Sequence, residues 1–374
     1  MKITSIDLFE VPLPYSGGTY LLSGGREYTE FGASIVRITT DKGVQGWGES
    51  TPFGSTYVAA HALGTAAGIA ELAPVLLGRD PRQVDRIADL MDANLTGHNH
   101  AKAPLDVACW DLFGKSVNLP VCELLGGSTG SPMPIMSSIH IGPPEEMRSR
   151  VGAHRELGYR GHSIKIGSTD GRIDPGLDAE RIRACLADRR PGEFFLVDAN
   201  TGLSSEEALR MFNLLPPGLD FVLESPCASW GETESLRRRS PYPIILDELA
   251  VDAADLVRAV AHDVADGISL KVTPAGGLTP GRRQRDIAVA AGMTLSVQDT
   301  VGSDIAYAAI THLGATVPSK LLRCILKASD MVTLTTADFR PLQLSEGVLP
   351  PDRPGLGVDV DETVLGTPTA SWSI

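Results

Sequence analysis

The chain has 374 residues, 43% of them hydrophobic and 21% charged, with a formal net charge of −13. That length can bury a large core and suits two domains. The excess of negative charge argues against nucleic acid or an anionic membrane as the main partner. No run approaches the ~20 apolar residues of a transmembrane helix. Met1-Lys2-Ile3-Thr4 opens directly into a strand-like segment without a signal h-region. The five cysteines, Cys109, Cys122, Cys185, Cys227 and Cys324, are scattered and none has metal-site spacing. They read as core or incidental thiols of a reducing compartment, and the expectation is a cytoplasmic enzyme.

Residues 1–60 read as antiparallel strands. Lys2 to Val11 alternates, Gly32 to Thr40 is a second run, and Asp41-Lys42-Gly43 turns into a hairpin strand ending at Glu49. Leu13 to Glu30 has the Gly, Tyr and Ser content of a mobile loop, a candidate lid. Ser50 to Tyr57 is a second irregular stretch. Helical patterns follow at Ala59–Leu77, Val84–Leu95 and Pro104–Ser116, giving an α+β domain. His98 and His100 flank a turn, and with no Cys or third His nearby a loop role outweighs a metal role. Gly126-Gly127-Ser128 marks a boundary. Strand and helix then alternate. Strands are expected at Met133–Ile139, Gly161–Ile166, four successive runs between Gly192 and Lys271, Met293–Val297 and Leu321–Leu326. About eight such repeats imply a closed parallel barrel. The fold class is therefore α/β, a (β/α)7–8 TIM-type barrel with an N-terminal α+β capping domain. The expected division is 1–127 for the cap, 128–330 for the barrel, and 331–374 for a Pro- and Gly-rich tail that folds back onto the cap.

The four runs share one design. Phe194–Val197 ends in Asp198, Phe221–Leu223 in Glu224, Ile244–Leu246 in Asp247 and Gly267–Leu270 in Lys271. The charged residues lie 26, 23 and 24 positions apart, room for one strand, one helix and two loops. Short apolar runs are buried parallel strands, so each presents its charge at the carboxyl end, where barrel enzymes carry catalytic groups. Any single acid of this kind is more often a loop or capping carboxylate. Three on consecutive strands repel one another and call for a cation. An all-oxygen set suits Mg2+, with Mn2+ as the alternative. On the second strand Ser163 and Lys165 share one face by the period of two. Lys165 and Lys271 thus stand on opposite sides of the three acids. They either balance the acids as ion pairs or act as acid and base, and the catalytic reading is preferred. A lysine beside a cation and a second lysine has its ammonium disfavoured, which frees the amine as a base. The metal would stabilise the enediolate left when a carboxylate substrate loses its α-proton.

With these residues the chain resembles the enolase superfamily, and within it the muconate lactonizing enzyme subgroup of the mandelate racemase/muconate lactonizing enzyme family, over essentially its whole length. Leu105 to Leu112 and Leu124-Leu125-Gly126-Gly127 are similar to the family's capping-domain helix and exit turn. The resemblance implies that Asp198, Glu224 and Asp247 ligate Mg2+, that Asn200 supports the site, and that Lys165 and Lys271 are the paired acid/base lysines. It implies that Leu13–Glu30 and Ser50–Tyr57 are the loops that close over substrate, which makes Tyr20 and Tyr57 candidate substrate contacts. It also implies a small-molecule carboxylate substrate and a homo-oligomer. One departure stands out: Ser163 occupies a position that is usually lysine, so Lys165 is expected to keep a higher pKa.

Asp299, followed by Thr300, ends the seventh strand. It is open to pairing with Lys271, binding a substrate ammonium, or capping the helix near Ser303; Asp330 is a weaker candidate of the same kind. The Ser-Ile-Lys variant with Gln298-Asp299-Thr300 is similar to members acting on cyclic amino acids, among them proline betaine epimerases and cis-3-hydroxy-L-proline dehydratases. Dehydration of cis-3-hydroxy-L-proline is the specific expectation. Racemisation or epimerisation of an amino acid, proline betaine or dipeptide and muconate-type cycloisomerisation are the alternatives. A non-catalytic protein that kept the scaffold is the reading from another class.

Overall fold

A computed structural model describes residues 1–167, 173–344 and 346–374. The first part contains β1 (Ile3–Pro14), β2 (Tyr20–Leu22), β3 (Arg26–Tyr28), β4 (Glu30–Thr40) and β5 (Gln45–Ser50), then α1 (Ala62–Leu76), α2 (Val84–Asn94), α3 (Asn99–Val117) and α4 (Val121–Leu124). The alternation follows as β6 (Ile135–Ile139), α5 (Pro144–Glu156), β7 (Gly161–Lys165), α6 (Pro175–Leu186), β8 (Phe194–Asp198), α7 (Ser205–Leu214), β9 (Val222–Glu224) and α8 (Trp230–Arg237). It continues as β10 (Ile244–Leu246), α9 (Ala253–Ala261), β11 (Gly267–Lys271), α10 (Val272–Ala275), α11 (Leu278–Ala290), β12 (Thr294–Gln298), α12 (Asp304–Gly314) and β13 (Leu322–Leu326). The chain ends with β14 (Ala337–Phe339), β15 (Leu342–Leu344), β16 (Gly347–Leu349), β17 (Val358–Val360), α13 (Glu362–Leu365) and β18 (Ala370–Ser373).

The eight strands β6 to β13 close into a parallel barrel in sequence order. The N-terminal sheet runs β18-β1-β4-β5 and is antiparallel. Its edge strand β18 comes from the far end of the chain, with Trp372 opposite Ile6. The barrel strands are short and almost wholly buried, as parallel strands covered by helices on one side and packed inward on the other must be. Several helices start on local signals. Ser204 and Glu207 form a capping box on α7, as do Asp252 and Asp255 on α9.

α3 is buried almost all round because it lies between the sheet and the barrel. β5 meets it through Gly46 and Gly48. A Cβ on Gly48 would stand 2.0 Å from the Pro104 carbonyl oxygen, so only glycine allows this approach. The helix begins at Asn99, earlier than the expected Pro104, and His98 before it is left-handed at φ 52°. Pro104 therefore sits inside the helix and leaves one backbone bond unmade. Burial on both sides outweighs that loss. The expected loop Leu13–Glu30 also differs, since it contains the β2–β3 hairpin, with Tyr20 opposite Tyr28. α10, a four-residue turn directly after Lys271, had no periodic signal to reveal it. No helix of the described residues is long and apolar enough to cross a membrane.

His312 ties α12 to both neighbouring segments. Its Nδ1 accepts from the Cys122 amide at 3.2 Å, and its Nε2–H donates to the Leu356 carbonyl at 3.1 Å. Burial pushes its pKa down to about 4, against the raising effect of the Leu356 carbonyl. An unfolded imidazole titrates near 6.5, so between these values the unfolded chain binds the extra proton. The stability is complete above pH ~6.5 and is lost as pH falls toward ~4, on the order of 3 kcal/mol. Urea unfolding at pH 7 and pH 4.5 is expected to show a smaller acid loss in His312→Gln than in the unsubstituted protein. Equal losses would show that His312 is not the sensitive group.

Candidate active site

Strand register sets the site. Lys165, Asp198 and Glu224 are direct neighbours on β7, β8 and β9. Asp247 follows the end of β10, and Lys271 ends β11 opposite Gln298. All five are buried or nearly so. Lys165 Nζ donates to Asp198, and Lys271 Nζ donates to Asp247. Asp198 also accepts from the Asn200 backbone N–H at 2.7 Å and from Asn200 Nδ2 at 2.9 Å. Glu224 accepts from Ser269 Oγ, which in turn accepts from Gln298 Nε2 at 2.9 Å. The Ser225 hydroxyl accepts from the amides of Asp247 and Glu248 at 3.1 and 3.3 Å. Asn200, Thr201 and Ser225 all have positive φ, at 44°, 62° and 39°. The loops that present these acids thus use backbone shapes that non-glycine residues rarely adopt.

Burial, and then the charges of Asp198 and Asp247, hold the Glu224 carboxyl well above the usual range, against the two lysines. Burial also raises Asp247, with Lys271 opposing and Asp198 adding to the rise. Glu248 is pushed up to about 7 by burial and by Asp247 and Asp198. Burial alone would lower both lysines. The charges of Asp198, Tyr20 and Glu224, with the Asp198 hydrogen bond, together outweigh it at Lys165, and those of Asp247, Glu248 and Glu224 together outweigh it at Lys271, so both are raised. The weakened ammonium expected for a lysine beside a cation is therefore not what the carboxylates alone produce; they hold both lysines protonated.

The remaining expected residues divide. Ser163, Asn200, Asp299, Thr300, Tyr20 and Tyr57 line one small chamber with both lysines. Tyr57 Oη lies 2.6 Å from Lys271 Nζ and donates to Asp247 at 3.3 Å. Tyr20 pairs with the Ser138 hydroxyl at 2.5 Å. Asp299 does not take Lys271 as its partner. It accepts from Thr273 Oγ1, from the Thr273 amide at 3.1 Å and from the Thr300 amide at 2.7 Å, and so it fastens the turn that follows Lys271. Burial pushes its pKa up to about 7. Nor does it cap α12: that helix start is held by Glu49, which accepts from the Ser303 and Ala306 amides at 2.8 and 3.2 Å. Thr300 Oγ1 donates to the Thr51 carbonyl at 2.6 Å, joining the barrel to the second capping loop. Asp330 bonds with Tyr159 and Lys327, away from the lysines.

The sequence reading missed three participants, Glu248, Ser269 and Arg26, and named Gln298 only as part of a motif. Glu248 accepts from Asn200 Nδ2 at 3.2 Å; an acid next to Asp247 was the available signal. Ser269 and Gln298 buttress Glu224. Arg26 donates to the carbonyls of Ser23, Thr56 and Asn200 at 2.8, 3.2 and 3.4 Å, binding both capping loops to the Asp198 loop.

Among the described residues no group of three His, Cys, Asp or Glu side chains is placed to hold a metal ion; Asp198 accepts from Lys165 and Asp247 from Lys271. The donors nevertheless suit a hard divalent cation. They are all oxygen, buried and mutually repelling, and Asn200 Oδ1 and Glu248 Oε2 are buried without partners.

Residues 28–126 match the mandelate racemase/muconate lactonizing enzyme N-terminal domain, and residues 146–364 the enolase C-terminal domain-like family. A cis-3-hydroxy-L-proline dehydratase from Roseibium aggregatum is 37% identical over the full length of both chains. An N-succinyl-L-Arg/Lys racemase from Bacillus cereus is 27% identical, covering 98% of this chain and 97% of that one. A crystal structure from Roseovarius nubinhibens, assigned to the mandelate racemase/muconate lactonizing enzymes and complexed with magnesium, superposes with a TM-score of 0.98 at 54% identity over 100% of both chains. With both family models matched and the full-length relative at this identity, the chain belongs to the mandelate racemase/muconate lactonizing enzyme family of the enolase superfamily.

Proposed function

We propose that Asp198, Glu224 and Asp247 hold Mg2+, with Mn2+ able to replace it, and that Lys165 and Lys271 move protons to and from a small carboxylate between them. The observation that carries this reading is the arrangement at the mouth, where two buried lysines flank three buried acids and line one chamber. When bound, the cation supplies positive charge that offsets the extra negative charge of a carboxylate losing its α-proton. Asn200 holds Asp198 in place, and Ser269 holds Glu224. A lysine released from its carboxylate presents a free amine to the α-carbon, while the opposite lysine stays protonated.

Dehydration of cis-3-hydroxy-L-proline is the reaction we favour. One lysine takes the α-proton, and the other gives a proton to the departing 3-hydroxyl, so that water leaves. The enamine that remains then tautomerises to an imine. The support is the named activity of the Roseibium aggregatum relative over the whole chain. The second reading is racemisation or epimerisation, in which the opposite lysine returns the proton to the α-carbon. The racemase from Bacillus cereus and the placement of one lysine on each side favour it.

In D2O with Mg2+, proton NMR of cis-3-hydroxy-L-proline is expected to show loss of the α-proton and growth of an imine product. Loss of the α-proton signal with an intact skeleton would instead select the epimerase. Lys165→Ala and Lys271→Ala are each expected to lower turnover by about 10³-fold or more. Calorimetric titration is expected to show weaker Mg2+ binding in Asp198→Asn and Glu224→Gln; unchanged binding would remove these ligands. Asp299→Ala frees the turn after Lys271 and is expected to lower kcat by roughly 100-fold with little change in KM. Asp299→Asn, which keeps an acceptor, should recover most of that loss.

A further inference from the structure

A small chamber at the barrel mouth adjoins larger cavities. The chamber holding both lysines has a volume of about 20 Å³, room for about one water. Beside it lies a cavity of about 510 Å³, the size of an ordinary ligand site. This larger space is bounded by the first turns of α1 and α3 and by the ends of β10 and β11. Among the described residues only Tyr57 and Lys271 line both. The Tyr57 ring stands 5.0 Å from the Lys271 ammonium, and its hydroxyl binds that ammonium and Asp247. One side chain on a capping loop is thus the partition between them.

The larger cavity is walled by Val58, Ala60, Ala250, Val251, Pro274 and Ala275. Its polar lining is incompletely used, since Thr65 Oγ1, His100 Nε2 and Glu248 Oε2 are buried without a partner. His100 is 6% exposed, and its Nδ1 lies 3.2 Å from Ser50 Oγ. Ser50 is fully buried and its hydroxyl has no other partner among the described residues. The arrangement that strands fewest groups has Ser50 donating to Nδ1, which leaves the hydrogen on Nε2. Burial and Lys271 push this imidazole down to about 4, so it is a neutral N–H donor at neutral pH.

A substrate cannot fit within about 20 Å³, and a small cyclic amino acid reaching past Tyr57 would still leave most of the larger cavity unfilled. The geometry points to the larger cavity as a substrate subsite: reached past Tyr57, it takes an aliphatic substituent of the carboxylate substrate, ending in a hydrogen-bond acceptor for His100. The inference rests on the proton-transfer reading of the mouth. It widens the substrate class to 2-amino or 2-imino acids with a side chain or N-substituent several carbons long.

The test uses the full chain with Mg2+ and straight-chain 2-amino acids from alanine to 2-aminooctanoate. Calorimetry reads affinity, and α-proton exchange in D2O reads chemistry. Affinity is expected to rise about fourfold for each added methylene. Ala60→Phe, which fills the cavity from a loop, should flatten that rise while its thermal melt stays close to that of the unsubstituted protein. A terminal carboxamide should gain affinity over the equally long hydrocarbon in the unsubstituted protein and lose that gain in His100→Phe. Affinity independent of chain length, with alanine still exchanged, would overturn the subsite and leave the proton-transfer reading intact. Exchange absent throughout and no binding of any member would overturn both. Chain-length-dependent binding that Ala60→Phe abolishes would support the subsite even without exchange.

Discussion

The arrangement depends on an unbalanced set of charges held at the barrel mouth. The carboxyl groups of Asp198, Glu224, Asp247 and Glu248 are collected around only two ammonium groups, those of Lys165 and Lys271. Fully ionised, the set carries two negative charges too many. Burial first, and then the charges of the neighbouring carboxylates, raise the carboxyl pKa values of Glu224, Asp247 and Glu248. A hard dication matches the excess in both charge and donor type. The register of β7, β8 and β9 sustains this costly gathering, because neighbouring parallel strands cannot move their end residues apart without breaking the barrel ladder. The left-handed backbone at Asn200, Thr201 and Ser225 is a second sign that packing outweighs local preference here.

The same logic explains how the N-terminal sheet is docked. Buried acids face backbone donors across the contact between sheet, α3 and barrel. Asp106 accepts from the Thr279 amide at 2.9 Å. Asp111 accepts from the Trp47 and Leu356 amides at 3.0 and 2.8 Å and from Lys115. Glu49 takes the first turn of α12. Each of these pairings needs both partners, since an unpartnered buried carboxyl costs more than the bond contributes. The docking is therefore specific in position, and the two capping loops reach the mouth from a fixed base. Arg26 and Thr300 complete that attachment at the site itself.

What was legible in the sequence follows from which signals are local. The three acids and Lys271 were visible because each ends a short apolar run, and the near-constant spacing showed that the runs were equivalent strands. Lys165 was visible through the period of two. The role of Asp299 was not, because its partner Thr273 becomes a neighbour only when β11 and β12 pair. Glu49 was read as the end of a hairpin, and nothing near it in sequence shows that it caps a helix about 250 residues away. The start of α3 was misplaced because Pro104 is normally a first-turn residue, and burial on both faces overrode that preference. The hairpin inside Leu13–Glu30 was hidden by a composition typical of loops; Gly24 and Gly25 turn it at positive φ, and Tyr20 packs it on Phe53.

That packing also divides the work between the two parts of the molecule. The residues able to carry charge and protons stand on barrel strands or just beyond them. The aromatic residues that limit space at the lysines, Tyr20, Phe53 and Tyr57, come from the capping loops. Tyr20 meets Phe53 at 5.1 Å between ring centroids, and Phe53 meets Phe31 at 4.6 Å and Tyr57 at 5.4 Å. Rings in mutual contact repack together more readily than singly. The wall beside Lys165, built on Tyr20 and Ser138, and the wall beside Lys271, built on Tyr57, are therefore mechanically linked through Phe53. A change of loop sequence at one face is felt at the other, while strand register keeps the lysines and acids in place. A site of this kind can change the shape of what it accepts without disturbing the groups that act on it.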